Sequence, residues 1–524
     1  MNSKFVKISS LTSIAVLIIS ATSVSAAPNG VAFQIGGTGP AVGNLKMHFT
    51  DRMASRFAVF GSYLPNSQDL AYEAALPPCI SPSQEMCIEG FSISTSGDTS
   101  WMESRPEVGM KTQEIAYSMN NADGSMTPKR YETFGAKSES LFAGNVPYVW
   151  NNDKYSHLGG NKYMVTVLIN SFAVDKGDLT NIGSSYSFSA FIIPVGPNQG
   201  AFGRASAQDS NGTWLTSYDF PKGQKYRLTL RLKPVISKLE TWFQARLHEP
   251  IVEIETTSGK LTVTGEPVVV STAVANLKYE EMTSKMKSNF GSWGDQIIAR
   301  QNQSNIGWDH TEQDGMSGVV DRFLLYEPFF TQTAEGDSTL WRLATTGYSG
   351  NGPRNCMKSG IVNGVMSTNA TVYEPTPPIW SNSTSSLDFK IASTHTNSMG
   401  QENVGDYYLM LRPEFAKCIW GSDSAGATAT ISVVNSDGTN QVATTTMGKV
   451  DGWIRFEAAG FHFSAPTIKV KLDPEVTPVG ADRKSALPNP NNSQVAKLQP
   501  KKIVISKKVT RKKIIPSPKP TMKK

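Results

Sequence analysis

Short alternating runs, broken at turn residues, fill the stretch from Cys418 to Leu472 and commit it to antiparallel β-structure. Ala427 to Val434 is the first run, and the turn Asn435-Ser436-Asp437-Gly438 closes it. A polar run from Gln441 to Val450 leads to a second turn at Asp451-Gly452. Trp453 to Ala458, Gly460 to Ser464 and Thr467 to Leu472 follow. Period-two alternation places one set of side chains on each face of a strand, so Ile468, Val470 and Leu472 face a core while Lys469 and Lys471 face water. At 55 residues the stretch is too small to form a domain alone and needs the preceding chain to complete it.

The same signal recurs upstream. Lys162 to Asn170 reads as a buried strand. Tyr186, Phe188, Ala190 and Ile192 alternate, as do Leu228, Leu230 and Leu232. Val252 and Ile254 alternate with Glu253 and Glu255, and Lys260–Thr264 and Pro267–Val270 follow. Strands at this density predict an all-β protein of two β-sandwich-like units, lectin- or Ig-like in build. One short amphipathic helix interrupts them. Tyr279, Met282, Met286 and Phe290 recur at helical spacing, and Gly291 and Gly294 limit the segment. The expected organisation is a signal peptide over 1–26, one sandwich over 27–275, a second over 276–475, and a disordered Pro/Lys-rich tail over 476–524. Charged residues make up only 18% of the 524 residues, with 43 glycines, which argues against a helical bundle or coiled coil.

Lys4 and Lys7, the apolar run Leu11–Ile19 and the small residues Val24-Ser25-Ala26 have the form of a secretory leader. No later stretch reaches the ~20 apolar residues of a spanning helix. Four cysteines suit an oxidising compartment, and the pairing Cys79–Cys87 with Cys356–Cys418 is the simplest of three. The net charge of +6 hides an asymmetry. Residues 483–524 hold 13 Lys/Arg and no Asp/Glu, whereas 27–482 hold 35 basic and 44 acidic residues, a net of −9. An exported basic tail suits anionic cell-wall polymer or another anionic surface through salt-sensitive contacts, and nucleic acid is the less suited partner.

Motifs for chemistry are sparse. Gly336-Asp337-Ser338 has the letters of a hydrolase nucleophile signature, but no downstream Asp-x-x-His accompanies it, and it reads as a turn. Asp309, Glu312 and Asp314 sit together in Gly307–Gly315, the only candidate group for a metal, with calcium the ion that oxygen ligands would take. The spacing is not that of an EF-hand, and a solvated acidic loop is the plainer reading. The six histidines are scattered singly. Of ten tryptophans, Trp150 in Tyr148-Val-Trp-Asn-Asn and Trp214 in Ser210-Asn-Gly-Thr-Trp lie in polar text and are the candidate ligand-binding aromatics. No catalytic residue is nominated.

Lys417-Cys-Ile-Trp-Gly421, Val442–Thr446, Ala459–Leu472 and the lysine-rich ending around Lys507–Thr510 resemble the C-terminal part of exported β-rich proteins of actinobacteria. Thr241–Pro250 is similar to another part of that group. The resemblance implies export and a Gram-positive origin, and it brings no catalytic residues to carry over. The expected function is therefore non-enzymatic binding or adhesion at a bacterial surface, with extracellular glycan as ligand. An extracellular polysaccharide hydrolase and a structural surface-layer component are the alternatives.

Overall fold

Residues 33–36, 44–49, 62, 71–95, 97–111, 114–120, 126–130, 133–138, 141–172, 186–197, 206–239, 241–278, 281–288, 319–346, 354–357, 361–374, 376–421, 428–435, 437–463 and 465–473 are described in a computed structural model of the chain. The protein is all-β. The chain divides at Glu475/Val476. The leader and the basic tail lie outside the described residues, as do Tyr279 and Phe290 of the amphipathic segment.

A long central sheet organises the first unit. From one edge its strands are Thr444–Val450, Trp453–His462, Val404–Leu411, Gly364–Thr368, the first half of Trp242–Glu255, Gly336–Thr346, Ser187–Pro197 and Lys162–Phe172. The last of these is flanked by both Tyr148–Asn151 and Ala71–Ala75. Trp242–Ala245 and Gly364–Ser367 form the one parallel ladder among the described strands. There the chains come close: a Cβ on Gly364 would sit 2.1 Å from the Trp242 ring, so glycine is required.

Two further sheets cover opposite faces of the central one. The front sheet contains Met102–Glu103, Cys87–Thr95, Gln224–Arg231, the start of Lys260–Lys278 and the end of Trp242–Glu255. The back sheet contains Ile379–Ser381, Ser386–Ala392, Thr467–Asp473 and Thr428–Val434, with Val372–Tyr373 on Ser386–Ala392. The alternation read from sequence fixes which side chains go where. Leu228, Leu230 and Val263 of the front sheet meet Val165, Phe188, Phe243 and Met410 in the larger core. Leu409 and Leu411, of opposite parity to Met410, join Phe389, Ile468, Val470 and Leu472 in the smaller core.

The two largest cores among the described residues share the central sheet, and this corrects the expected boundary at 275/276. Lys260–Lys278 is a single strand that runs across that position. Gly336–Thr346 inserts between Ser187–Pro197 and Trp242–Glu255. Local periodicity carries no information about such long-range pairing, so the split could not be seen in sequence.

Three short α-helices lie among the described residues. Ser284–Ser288 lies inside the expected amphipathic segment, with Met282 and Met286 buried as its spacing required. Val319–Tyr326 packs against the same cluster, which includes Phe49 and Ala275. Pro413–Trp420 takes the start of the stretch read as β-structure; Pro413 opens it and Gly421 closes it in the left-handed conformation. Cys418 on this helix is bonded to Cys356, and Cys79 to Cys87. Gly336-Asp337-Ser338 is the start of a strand and not a turn: Ser338 is buried, and Asp337 accepts hydrogen bonds from the Ser271 and Ser398 hydroxyls.

Candidate functional site: an open ledge on the central sheet

The front sheet covers only part of the face beneath it, and the side chains record where the cover ends. Trp453, Arg455 and Glu457 point the same way from one strand, as do Met410, Tyr408 and Asp406 from its neighbour. Trp453 and Met410 are buried in the larger core, and the Trp453 indole donates to the Val252 carbonyl of the front sheet's edge (2.7 Å). One step further along the same face, apolar residues give way to Tyr408, Arg455 and Glu457, then Asp406. These form the floor of a polar ledge, with Thr444 and Thr446 at its outer margin.

The wall of the ledge is the corner where Trp242–Glu255 leaves the central sheet for the front one. Its register with Lys260–Lys278 breaks between His248 and Ile251. Glu249 takes a φ of 48°, the left-handed region that a β-carbon disfavours, and Pro250 follows. The bulge aims His248 and Glu249 over the floor.

The polar groups are tied to one another. His248 Nδ1 lies 2.9 Å from the Tyr408 hydroxyl and 3.6 Å from an Asp406 carboxylate oxygen. The His248 ring meets the Tyr408 ring edge to face at 5.6 Å, and the Arg455 guanidinium lies 4.9 Å from the Tyr408 ring centre. Arg455 pairs with Glu457 (3.2 Å), which also accepts from the Thr446 hydroxyl (3.2 Å). Lys225 stands between Glu249 (3.2 Å) and Glu266 (3.7 Å). The Asp406 amide donates to the Asn369 side-chain oxygen (2.9 Å).

The protonation states follow from these neighbours. The nearby Asp406 carboxylate raises the His248 pKa against the opposing effect of burial, and the charges of Glu249 and Glu266 add to it. Burial, then the Asp406 and Glu457 carboxylates, push the Tyr408 phenol up, so it stays neutral. Burial works to raise Glu249, but Lys225 outweighs it and holds that carboxyl low. The ledge thus brings an imidazole, a guanidinium and several carboxylates together over a buried phenol: His248 and Glu249 are partly exposed, Arg455 is largely buried, and Tyr408 is 1% exposed.

The candidates named from sequence fall elsewhere. Trp214 is 51% exposed, beside a rigid turn in which the Asp209 carboxylate accepts from the Asn211 (3.0 Å) and Thr213 (2.9 Å) amides. Trp150 is not in a loop. It pairs with Tyr163 in the central sheet, is 2% exposed and lies against Phe91 in the larger core, so it has no face to stack on a ligand. Asp309, Glu312 and Asp314 lie outside the described residues. Among the described residues no group of three or more His, Cys, Asp or Glu is placed to hold a metal ion.

Sequence reasoning missed the ledge because its members come from positions 225, 248–266, 406–408 and 455–457. The available signal was polar residues at core parity: Arg455 and Glu457 continue the face that Trp453 begins. No family model and no curated protein matches the chain. No described helix is long and apolar enough to cross a membrane.

Proposed function

We infer that this is an exported, non-enzymatic binding protein of a bacterial surface whose ledge takes an extracellular glycan. The observation that carries this reading is the ledge itself: a sheet face only partly covered, along which carboxylates, a guanidinium and an imidazole are held in place. Sugars present closely spaced hydroxyl groups, and such fixed acceptors and donors match them at little ordering cost. The two disulfides and the leader-like start support export. Trp214 supplies a second, separate platform for a sugar ring. The basic tail, residues 483–524, supplies electrostatic retention on anionic wall polymer.

A glycan array probed with the purified chain tests the reading. Binding that is lost in Asp406→Ala supports it. A blank array contradicts it and favours a structural surface-layer role. Release of reducing ends from a bound polysaccharide contradicts the non-enzymatic part and favours the hydrolase. Deleting residues 483–524 is expected to weaken wall retention at low salt; unchanged retention removes the tail from the account.

A further inference from the structure

The outer margin of the ledge is Thr444–Val450, a strand paired on one side only among the described residues. Edge strands invite further pairing, and proteins blunt them with proline, bulges, charge or brevity. Thr428–Val434, the edge of the back sheet, likewise has no proline, charge or bulge among the described residues, but two edges of the front sheet are blunted. The Ile251–Glu255 edge of the front sheet follows a bulge and Pro250 and carries Glu253 and Glu255. Met102–Glu103 is only two residues long. Thr444–Val450 has no such protection. Its ladder with Trp453–His462 runs without a break, it contains no proline, and Lys449 is its one charge.

The hairpin geometry fixes which backbone groups are open. Asp451 (φ 47°) and Gly452 (φ 79°) form a two-residue turn of the mirror-image kind. Val450 and Trp453, which flank it, are then a hydrogen-bonded pair. Alternation turns the amides and carbonyls of Val450, Gly448, Thr446 and Thr444 inward, and leaves those of Thr445, Met447 and Lys449 facing outward. This outward set is symmetric about Met447.

We propose that Thr444–Val450 is the interface between two copies of this chain, joined antiparallel about a two-fold axis through Met447. Met447 then faces its own copy, and Thr445 faces Lys449 of the second copy. All outward groups pair, in about six backbone hydrogen bonds, and no lysine meets a lysine. A two-fold axis perpendicular to the sheet keeps both ledges on the same side of one continuous sheet. If the ledge binds glycan, as proposed above, the dimer is bivalent and gains avidity on a polymeric ligand. The dimer itself does not depend on that reading. The contact is small beside the ~1,200–2,000 Å² of stable complexes, so the dimer is a weak one.

Sedimentation velocity of the purified chain from about 1 µM to about 1 mM tests this. A shift from monomer to dimer is expected. It is expected to vanish in Thr445→Pro, which removes an outward amide without touching the inward ladder, while the melting temperature stays near that of the wild type. The double variant Thr445→Cys, Lys449→Cys is expected to form a disulfide-linked dimer on oxidation, because Cα atoms of a hydrogen-bonded antiparallel pair are about 5.5 Å apart, within disulfide reach. A chain that stays monomeric throughout, a Thr445→Pro variant that associates like the wild type, or a double-cysteine variant that does not cross-link would each overturn the proposal. Single-site glycan binding by a monomer would leave the ledge standing and the dimer refuted. A dimer that binds no glycan would do the reverse.

Discussion

One strand, Trp453–His462, passes through two environments on the same face. At Trp453 it lies under the front sheet, fully buried and hydrogen-bonded to Val252. Two and four residues later it carries Arg455 and Glu457, whose side chains are partly exposed at 16% and 24%. The backbone geometry and the neighbouring strands are unchanged between the two positions. What differs is only whether a second layer covers the face. The covered half contributes stability through apolar burial. The open half holds polar groups that contribute little to folding, because partly exposed ion pairs are worth at most about 1 kcal/mol each. A cluster this ordered and this weakly stabilising is better placed to meet a ligand than to hold the fold.

Substitutions on either side of the boundary separate the two halves. Trp453→Ala removes a large buried ring and leaves its partner carbonyl bare. It is expected to cost about 3–5 kcal/mol in denaturant unfolding. A cost below about 1 kcal/mol would mean that the covered half is not a packed core.

His248 sharpens the boundary through pH. Its pKa is raised in the folded state, chiefly by the neighbouring Asp406 carboxylate, so the bound proton stabilises the fold. That contribution is fully present below the ordinary histidine value and is lost as pH rises through the higher folded value. The ring resonances of His248 in NMR are expected to titrate above the ordinary value, and Asp406→Asn is expected to bring the midpoint down. A midpoint at or below the ordinary value would detach His248 from the ledge.

The smallest effect is expected at Trp214. With half its surface exposed and its neighbouring turn held by Asp209, Trp214→Ala should change stability by no more than about 0.5 kcal/mol. Thermal unfolding checks this, and a larger loss would show that the indole is packed.

Much of the fold was legible because strands announce themselves locally. Leu228, Leu230 and Leu232, and Ile468, Val470 and Leu472, are buried as their alternation required. His462 is exposed between the buried Phe461 and Phe463 for the same reason. Both disulfides follow the simplest pairing. The helix Pro413–Trp420 was not legible, because eight residues give barely two turns of periodicity and the apolar Cys418-Ile419-Trp420 also fits a strand. The shared central sheet was hidden for a deeper reason: which strands become neighbours is decided by long-range pairing. Trp150 was misplaced because polar neighbours, Asn151 and Asn152, made a strand end look like a loop. The ledge needed both the pairing and the extent of the front sheet before its residues could be seen together.

Calorimetric titration of the best array glycan into the wild-type chain and into Asp406→Ala bears most directly on the ledge. The account predicts at least a tenfold weaker affinity, about 1.4 kcal/mol, with the melting temperature nearly unchanged. Equal affinity in the two proteins would contradict it.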